Sequence, residues 1–292
     1  MINYVLLFVA VAFAVINGCF LHSFDNRDIR NIGDTLFFNG GISAVWIIVL
    51  GVFSVISGDF VISSGSVFYG AIYGVIICSF LLFKNLSLTS GPVSLTILIG
   101  SCPFILTTLF GVIFMKQSIN TMQVLGIVMI IAALILCISP KKGERISAKW
   151  LAFSALFFLA GGGVGILYML LGASDAKNEI NAMMICAAFV AFVLYFALGF
   201  IVNLIKKEPY PKIHKSGIVF IMLCGIASST YMRMNLYLST VIPAVAFFPL
   251  SNGSVVIFST LSGVLLYKER LSKIQIIGML IGLAALVITG IA

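Results

Sequence analysis

Few side chains in this sequence have the types and the spacing that enzyme chemistry requires. The chain has nine carboxylates and two histidines among 292 residues, and it contains neither an H-E-x-x-H zinc motif nor a G-x-x-x-x-G-K-[ST] phosphate loop. Its six cysteines lie singly in different apolar segments, a spacing that indicates neither a metal site nor a disulfide framework. An enzyme needs a positioned nucleophile, acid–base pair or metal. We therefore expect no catalytic residue, no metal site and no cofactor.

Polar side chains that could bind a solute do occur, and they lie inside long apolar runs. In AFFPLSNGSVVIFST, residues 246–260, Pro249 and the small polar segment 251–254 interrupt such a run. A polar group facing lipid is costly, so this face must point toward protein or toward a cavity. Two interpretations remain open, helix packing through small residues and the lining of a substrate cavity. The candidate substrate-binding residues are Asn17, Tyr73, Ser101, Tyr168, Tyr231, Arg233, Asn252 and Ser254.

Arg233, in STYMRMNLYLS, is the one strong charge inside a predicted membrane span. Its side chain could snorkel to the interface, bond a carbonyl of a neighbouring helix, or contact an anion, because guanidinium pairs with carboxylate and phosphate. Asn17 could bond a neighbouring helix or line a cavity. Tyr73 and Tyr168 could stack on a flat substrate or serve only for packing.

The composition indicates that most of the chain is surrounded by lipid rather than by water. The chain is 61% hydrophobic and 9% charged, whereas a soluble domain carries roughly 25% charged residues. The net charge of +8 comes from short basic clusters between apolar runs, which is typical of membrane loops and not of a nucleic-acid-binding surface. The sequence predicts a multi-pass protein of the cytoplasmic membrane.

A helix needs about 20 apolar residues to cross the hydrocarbon core, and the runs are continuous rather than strictly alternating, which excludes a membrane β-barrel. The predicted fold class is an all-α polytopic membrane protein with ten transmembrane helices. The predicted spans are 3–22, 35–56, 61–82, 91–114, 121–139, 148–171, 181–204, 217–238, 243–266 and 273–291.

The two halves of the chain resemble each other. A shift of 152 residues aligns 106–134 with 258–286 and places the polar segment 251–254 opposite 99–102, which precedes Pro103. The least coincidental pairs are Lys116 with Lys268, Gln123 with Gln275, and Gly126 with Gly278. We predict two five-helix repeats, 1–140 and 141–292. Because five is odd, the second repeat has inverted topology, which is characteristic of secondary transporters with a midplane site.

No carboxylate falls near the centre of a predicted span, and Asp34 and Glu269 come nearest, at span edges. This absence argues against proton-coupled antiport of drug cations. The glycine run 161–163, with Gly165, indicates either close helix approach or a flexible break, and the sequence does not separate the two.

The duplicated blocks resemble the drug/metabolite transporter superfamily, and in particular its ten-helix EamA-type members. The similarity rests on a proline-containing helix, a short charged turn and a glycine-rich last helix, which occur in both 91–136 and 242–288. One departure is Ile16-Asn17-Gly18, where the family commonly has a Trp-Gly pair. The resemblance implies transport, and the family moves amino acids, nucleosides, sugar phosphates, cations and drugs.

The loops differ in charge from one membrane side to the other. Loops after odd-numbered spans hold fourteen Lys and Arg residues against three on the even side. The positive-inside rule therefore predicts cytoplasmic odd loops and both termini outside, contrary to the family habit of cytoplasmic termini.

These observations favour a secondary transporter of a small polar organic solute, either a metabolite, anionic or zwitterionic, or a drug. The alternatives are a membrane-embedded enzyme and a non-transporting scaffold. The expected partners are a small-molecule substrate and membrane lipid, with no nucleic acid, and the chain is expected to be a monomer or a homodimer.

Overall fold

The computed structural model describes residues 2–25, 31–58, 60–137, 146–207, 215–267 and 272–291. The predicted repeat boundary at 140/141 lies outside these ranges. Most of the odd-loop Lys and Arg residues that predict the orientation also lie outside these ranges, in the segments 26–30, 138–145, 208–214 and 268–271.

Every regular element in the described ranges is a helix, which confirms the all-α class. Eight of the ten predicted spans match a helix to within a few residues at both ends. The third, 61–82, ends eight residues before its helix does, and the fourth, 91–114, contains two helices. The α-helices are α1 Ile2–Asp25, α2 Ile32–Ser57, α3 Ser64–Ser90, α4 Val93–Ser101, α5 Phe104–Ile113, α6 Thr121–Cys137, α7 Ala148–Gly172, α8 Ile180–Lys206, α9 Lys215–Val241, α10 Ala244–Tyr267 and α11 Lys273–Ile291. A short 3₁₀ helix, Asp175–Asn178, precedes α8.

The helices have the length and surface of membrane spans. Within the described residues, eight segments are long and apolar enough to cross a membrane, one of them formed by α4 and α5 together; α6 and α11 are shorter apolar helices. Large apolar side chains point outward, with Val55 83% and Ile56 79% exposed, which would be unfavourable in water. The chain is therefore a multi-pass membrane protein, and the count of ten spans stays a prediction.

Two sequence-based placements of charged residues can be compared with the structure, and only the first of them differs. Lys84, counted as a loop residue, lies inside α3, which continues to Ser90 because Gly91 and Pro92 are the first residues that disfavour a helix. Asp34, placed at a span edge, lies in the first turn of α2 and is only 4% exposed. A carboxylate is favoured there because a helix N-terminus carries partial positive charge.

The chain forms two compact units. Unit 1 consists of Met1–Ala12, Ser79–Leu170 and Leu238–Ala292, and unit 2 consists of Phe13–Cys78 and Leu171–Tyr237. Each unit contains segments from both predicted repeats.

In unit 2, α2 packs along α8. Glycines bring the two helices close: the ring of Phe196 covers Gly40, and the ring of Phe37 covers Gly199. The rings of Phe37 and Phe196 meet edge to face at 5.6 Å, an arrangement that aromatic pairs prefer.

In unit 1, α6 packs along α11, and α10 packs against α5 and α11. Thr289 of α11 lies against Gly126 of α6, and Ile257 of α10 lies against Gly282 of α11. Helices in lipid associate through such close contacts, because lipid tails are as apolar as the side chains they would replace.

Candidate functional site

Arg233 is held by two other helices of unit 2. Its Nε donates a hydrogen bond of 2.8 Å to Oδ1 of Asn181 in α8. Its Cζ lies 3.7 Å from the ring centroid of Phe53 in α2, within the range of a cation–π interaction. The guanidinium therefore joins α9 to α8 and α2, which supports the helix-pairing interpretation, with an amide oxygen in place of a carbonyl. Contact with an anion stays a prediction.

The depth of Arg233 follows from its partners. Asn181 is the second residue of α8, and Phe53 precedes the last residue of α2 by four positions. Arg233 thus lies level with the helix ends that face the even-numbered loops. Beyond Arg233, α9 continues for eight residues to Val241, or about 12 Å at the rise of an α-helix.

The same end of unit 2 contains a carboxylate, Glu179, that the sequence analysis left in a loop. Its Oε2 accepts hydrogen bonds from Oγ of Ser63 at 2.6 Å and from the backbone N of Ser63 at 3.1 Å. The bond from the Ser63 side chain holds the pKa of Glu179 below its ordinary value. Ser63 directly precedes α3, so the carboxylate also lies where the α3 N-terminus favours negative charge.

These contacts form a group of two sets at one end of unit 2: Glu179 with Ser63, and Asn181 with Arg233. Nδ2 of Asn181 donates to Oγ of Ser57 at 3.5 Å, and Ser57 is the last residue of α2 before Gly58, whose φ of 67° ends the helix in the left-handed conformation. We name this group the end cluster. It consists of Phe53, Ser57, Ser63, Glu179, Asn181 and Arg233. The only local sequence pattern in this region is Ser63 followed by Ser66, which is typical of a helix start. No local pattern indicates the hydrogen bonds between different helices.

Three other predicted residues belong to unit 2. Tyr231 is partly buried, two residues before Arg233. Tyr73 of α3 is fully buried, and Oδ1 of Asn17 in α1 is buried without a hydrogen-bond partner. Tyr195, which the sequence analysis did not select, donates from its hydroxyl to the carbonyl oxygen of Ile77 at 3.2 Å.

The predicted polar residues of unit 1 bond mainly to their own helices. Oγ of Ser101 donates to the carbonyl oxygen of Ile97 at 2.8 Å, and Nδ2 of Asn252 donates to that of Phe248 at 2.9 Å. Ser254 in α10 and Tyr168 in α7 are buried. Such bonding satisfies polar groups inside a membrane helix, so it is compatible both with packing and with a cavity face.

The two proline-containing helices, expected to be interrupted alike, differ. The first is broken: Cys102 has φ −97° and ψ 1°, its N–H donates to Ile99 O at 3.2 Å, and α5 begins after Pro103. The second, α10, continues through Pro249 without a break. Proline disfavours helical geometry at the preceding residue, and only the first helix is broken next to its proline.

The glycine run of α7 packs against the segment where α4 ends and α5 begins. A Cβ atom added at Gly161 would lie 2.6 Å from Cγ of Pro103, and one added at Gly162 would lie 2.5 Å from Cδ1 of Leu106. The side chain of Thr107 covers Gly165. Since α7 is continuous from Ala148 to Gly172, the glycines serve close helix approach, which settles the choice that the sequence left open.

A buried hydroxyl group network joins three helices of unit 1. Oγ of Ser87 in α3 lies 3.1 Å from Oγ1 of Thr96 in α4 and 2.5 Å from Oγ of Ser154 in α7. Nε1 of Trp150 donates to the same Thr96 oxygen at 2.9 Å. Ser87, Thr96 and Ser154, taken singly, are ordinary small polar residues in or near a span, so no local sequence pattern indicates that they meet.

The polar contacts described in both units are hydrogen bonds and, at Arg233, a cation–π interaction. Among the described residues, no three His, Cys, Asp or Glu side chains cluster in a way that could hold a metal ion.

No protein-family model matches the chain, and no curated protein matches it. Chains of known structure do match, 28 in number. One is a crystal structure described only as that of a protein, with a TM-score of 0.77 and 14% identity, covering 99% of this chain and 96% of that chain. At this identity the match shows a shared fold over nearly the whole length.

Proposed function

We propose that this protein is a secondary transporter of a small polar organic solute in the cytoplasmic membrane, and that it belongs with the EamA-type drug/metabolite transporters it resembles. Ten spans in two inverted repeats would alternate access to a cavity near the membrane midplane lined by both repeats.

The observation that carries the proposal is the regular spacing of the helices in the two halves. Each helix of the second half begins 146 to 152 residues after its counterpart, from Ile2 and Ala148 for the first pair to Thr121 and Lys273 for the last. Helix bounds depend on the whole sequence, so this agreement is largely independent of the residue matches at an offset of 152.

The packing of equivalent helices supports the same proposal. The pairs α2 with α8, α6 with α11, and α5 with α10 pack against each other, and each pair consists of helices that correspond between the repeats. A pseudo-two-fold axis between two repeats brings equivalent elements together in this manner.

The candidate cavity residues have different proposed roles. In unit 1, Ser101, Asn252 and Ser254 would offer hydrogen bonds near the centre of their spans, and Tyr168 would shape their surroundings. In unit 2, Asn17 and Tyr73 are the corresponding candidate lining residues. Arg233 and Tyr231 lie nearer the even-loop end, so we propose that Arg233 attracts an anionic or zwitterionic solute at that entrance. The charge of Arg233, and not an unused hydrogen bond, carries this role.

Uptake by sealed proteoliposomes tests the proposal. We expect accumulation of at least one compound from a panel of radiolabelled amino acids, nucleosides and sugar phosphates, and none in protein-free vesicles. If every class fails to accumulate or exchange, the proposal fails, and a scaffold or an embedded enzyme becomes the better interpretation.

Asn252→Leu sharpens the uptake experiment. If Asn252 lines the cavity, the variant should lose most uptake while its Tm stays close to that of the wild type, because a membrane hydrogen bond is worth only about 0.6 kcal/mol. The matched control is Ser259→Leu, at an exposed position of the same helix, which should retain uptake. Equal loss of folded protein and uptake in Asn252→Leu would favour the packing interpretation.

A further inference from the structure

The contact between α2 and α8 in unit 2 contains one polar residue whose bonding is incomplete. Asn203 of α8 is 3% exposed, and neither its Oδ1 nor its Nδ2 has a hydrogen-bond partner in the protein. Its amide lies over Gly33 in the first turn of α2, in the space that a Cβ would fill. Buried polar groups in native proteins nearly always have a partner, either protein or ordered water, so Asn203 points to a bound ligand.

The surroundings define a small polar site. Oδ1 of Asn31, the N-cap residue of α2, lies 3.2 Å from the same Cβ position at Gly33 that the Asn203 amide approaches. The side chain of Asn31 also accepts a hydrogen bond of 2.7 Å from the backbone N of Asp34. Two amide side chains and the first turn of a 26-residue helix therefore converge on one place.

The local charges argue against an ion. The buried carboxylate of Asp34 would repel an anion. A cation would face the positive end of the α2 dipole and Lys206 and Lys207, which follow Asn203 by three and four residues. An amide also needs both a donor for its oxygen and an acceptor for its NH₂ group, and a bare ion supplies only one of these.

We propose that an ordered water molecule occupies this site and bridges the Asn203 amide to the first turn of α2. Water both donates and accepts, carries no charge, and is stable in a buried site that offers two to four polar partners. The site makes the odd-loop end of the α2–α8 contact polar and hydrated, whereas the Phe37 and Phe196 contacts farther along it are apolar. This inference does not depend on the proposed transport activity.

An experimental structure at about 2 Å or better tests the proposal directly. We expect a density peak within hydrogen-bond distance of the Asn203 amide and of a second polar atom in residues 31–34. A direct bond between the amide and another protein group would overturn the proposal. A peak with five or six oxygen ligands near 2.4 Å would overturn it as well, since that geometry indicates a cation.

Thermal unfolding of the purified full-length protein provides a second test. At equal ionic strength, the Tm should be the same in sodium, potassium and choline chloride; a rise of about 3 °C or more in one metal salt would assign the site to that cation instead.

Variants of two buried asparagines of α8 complete the experiment. Asn203→Leu removes the amide and releases its water, and Asn31 on the other side of the bridge keeps its bond from the backbone N of Asp34. No buried group then loses its last partner, so the Tm should stay within about 2 °C of the wild type. Asn181→Leu leaves Arg233 without its amide partner, so its Tm should fall further. A larger fall for Asn203→Leu than for Asn181→Leu would mean that the Asn203 amide bonds protein directly and would refute the water site.

Discussion

Polar side chains in this protein are satisfied in two different ways. Most, such as Ser101, Asn252 and Thr260, bond a carbonyl one turn earlier in the same helix. Arg233 and Glu179 instead bond across helices. A bond within one helix adds nothing to the choice of neighbours, whereas a bond between helices fixes which elements lie together. The end cluster and the Ser87–Thr96–Ser154 network therefore carry more structural information than hydrogen bonds such as those of Ser101 and Asn252.

Glu179 should make stability depend on pH. Its folded-state pKa is lowered, first of all by the Ser63 side chain, so its contribution is present above the unfolded-state pKa of about 4.3 and is lost as the pH falls through the folded-state value. Glu179→Gln resembles the protonated acid. The Tm difference between wild type and Glu179→Gln should be positive at pH 7 and shrink below about pH 4.

Ser63→Ala provides the matched comparison for Glu179, since it removes the hydroxyl that lowers the pKa. In the Ser63→Ala background, Glu179→Gln should have a smaller effect at pH 7 and a weaker pH dependence. A Tm difference that stays constant from pH 7 to pH 3 in the wild-type background would show that the Ser63 bond does not form in solution.

Elements of similar composition can differ in outcome when their neighbours differ. The segments around Pro103 and Pro249 have comparable sequences. The first forms two separate helices, α4 and α5, whereas the second forms one continuous helix, α10. Proline removes one donor in both places. The glycine face of α7 makes room for the broken segment through Gly161 and Gly162, and this complementarity between two distant segments is not visible in either segment alone.

Gly161→Ala should test that complementarity. The new Cβ would lie 2.6 Å from Cγ and 3.0 Å from Cβ of Pro103, and a proline ring cannot turn away. Overpacking costs about 1–3 kcal/mol, which exceeds the gain of about 1 kcal/mol from replacing glycine by alanine in a helix. The Tm should fall.

Gly51→Ala in α2 is the control for the glycine experiment, because nothing lies within 4 Å of its Cβ position. The helix-propensity gain then acts alone, and the Tm should stay level or rise. A rise in both variants would mean that the α5–α7 contact is looser than described.

At the scale of the whole molecule, the sequence predicted what depends on local hydropathy. Span ends such as 148–171 and 273–291 agree with α7 and α11 to within one residue, because apolar length and the flanking polar residues determine them. The interleaving of both halves in each compact unit, the partners of Arg233 and the burial of Asp34 depend on contacts between distant segments. The composition of one segment carries no information about its partner, so these features required the structure.

The orientation in the membrane is a property of the whole chain, and the charge bias predicts it. We expect Lys207, at the exposed end of α8, to face the cytoplasm and Lys177, exposed in the 3₁₀ helix, to face outside. Single cysteines at these positions, on a cysteine-free background, can be labelled in intact cells with a membrane-impermeant reagent. Position 177 should react and position 207 should not. The reverse pattern would invert the proposed topology and leave the fold unchanged.

The two tryptophans of the chain fall one in each compact unit. Trp150 donates to Thr96 in unit 1, and Trp46 donates to Ser228 at 2.7 Å in unit 2; both rings are buried. Because no other tryptophan exists in the sequence, the intrinsic fluorescence of the molecule is the sum of one emitter per unit. A single Trp→Phe replacement silences one unit optically, so changes in solvation or packing during a functional cycle become assignable to the other without any attached dye.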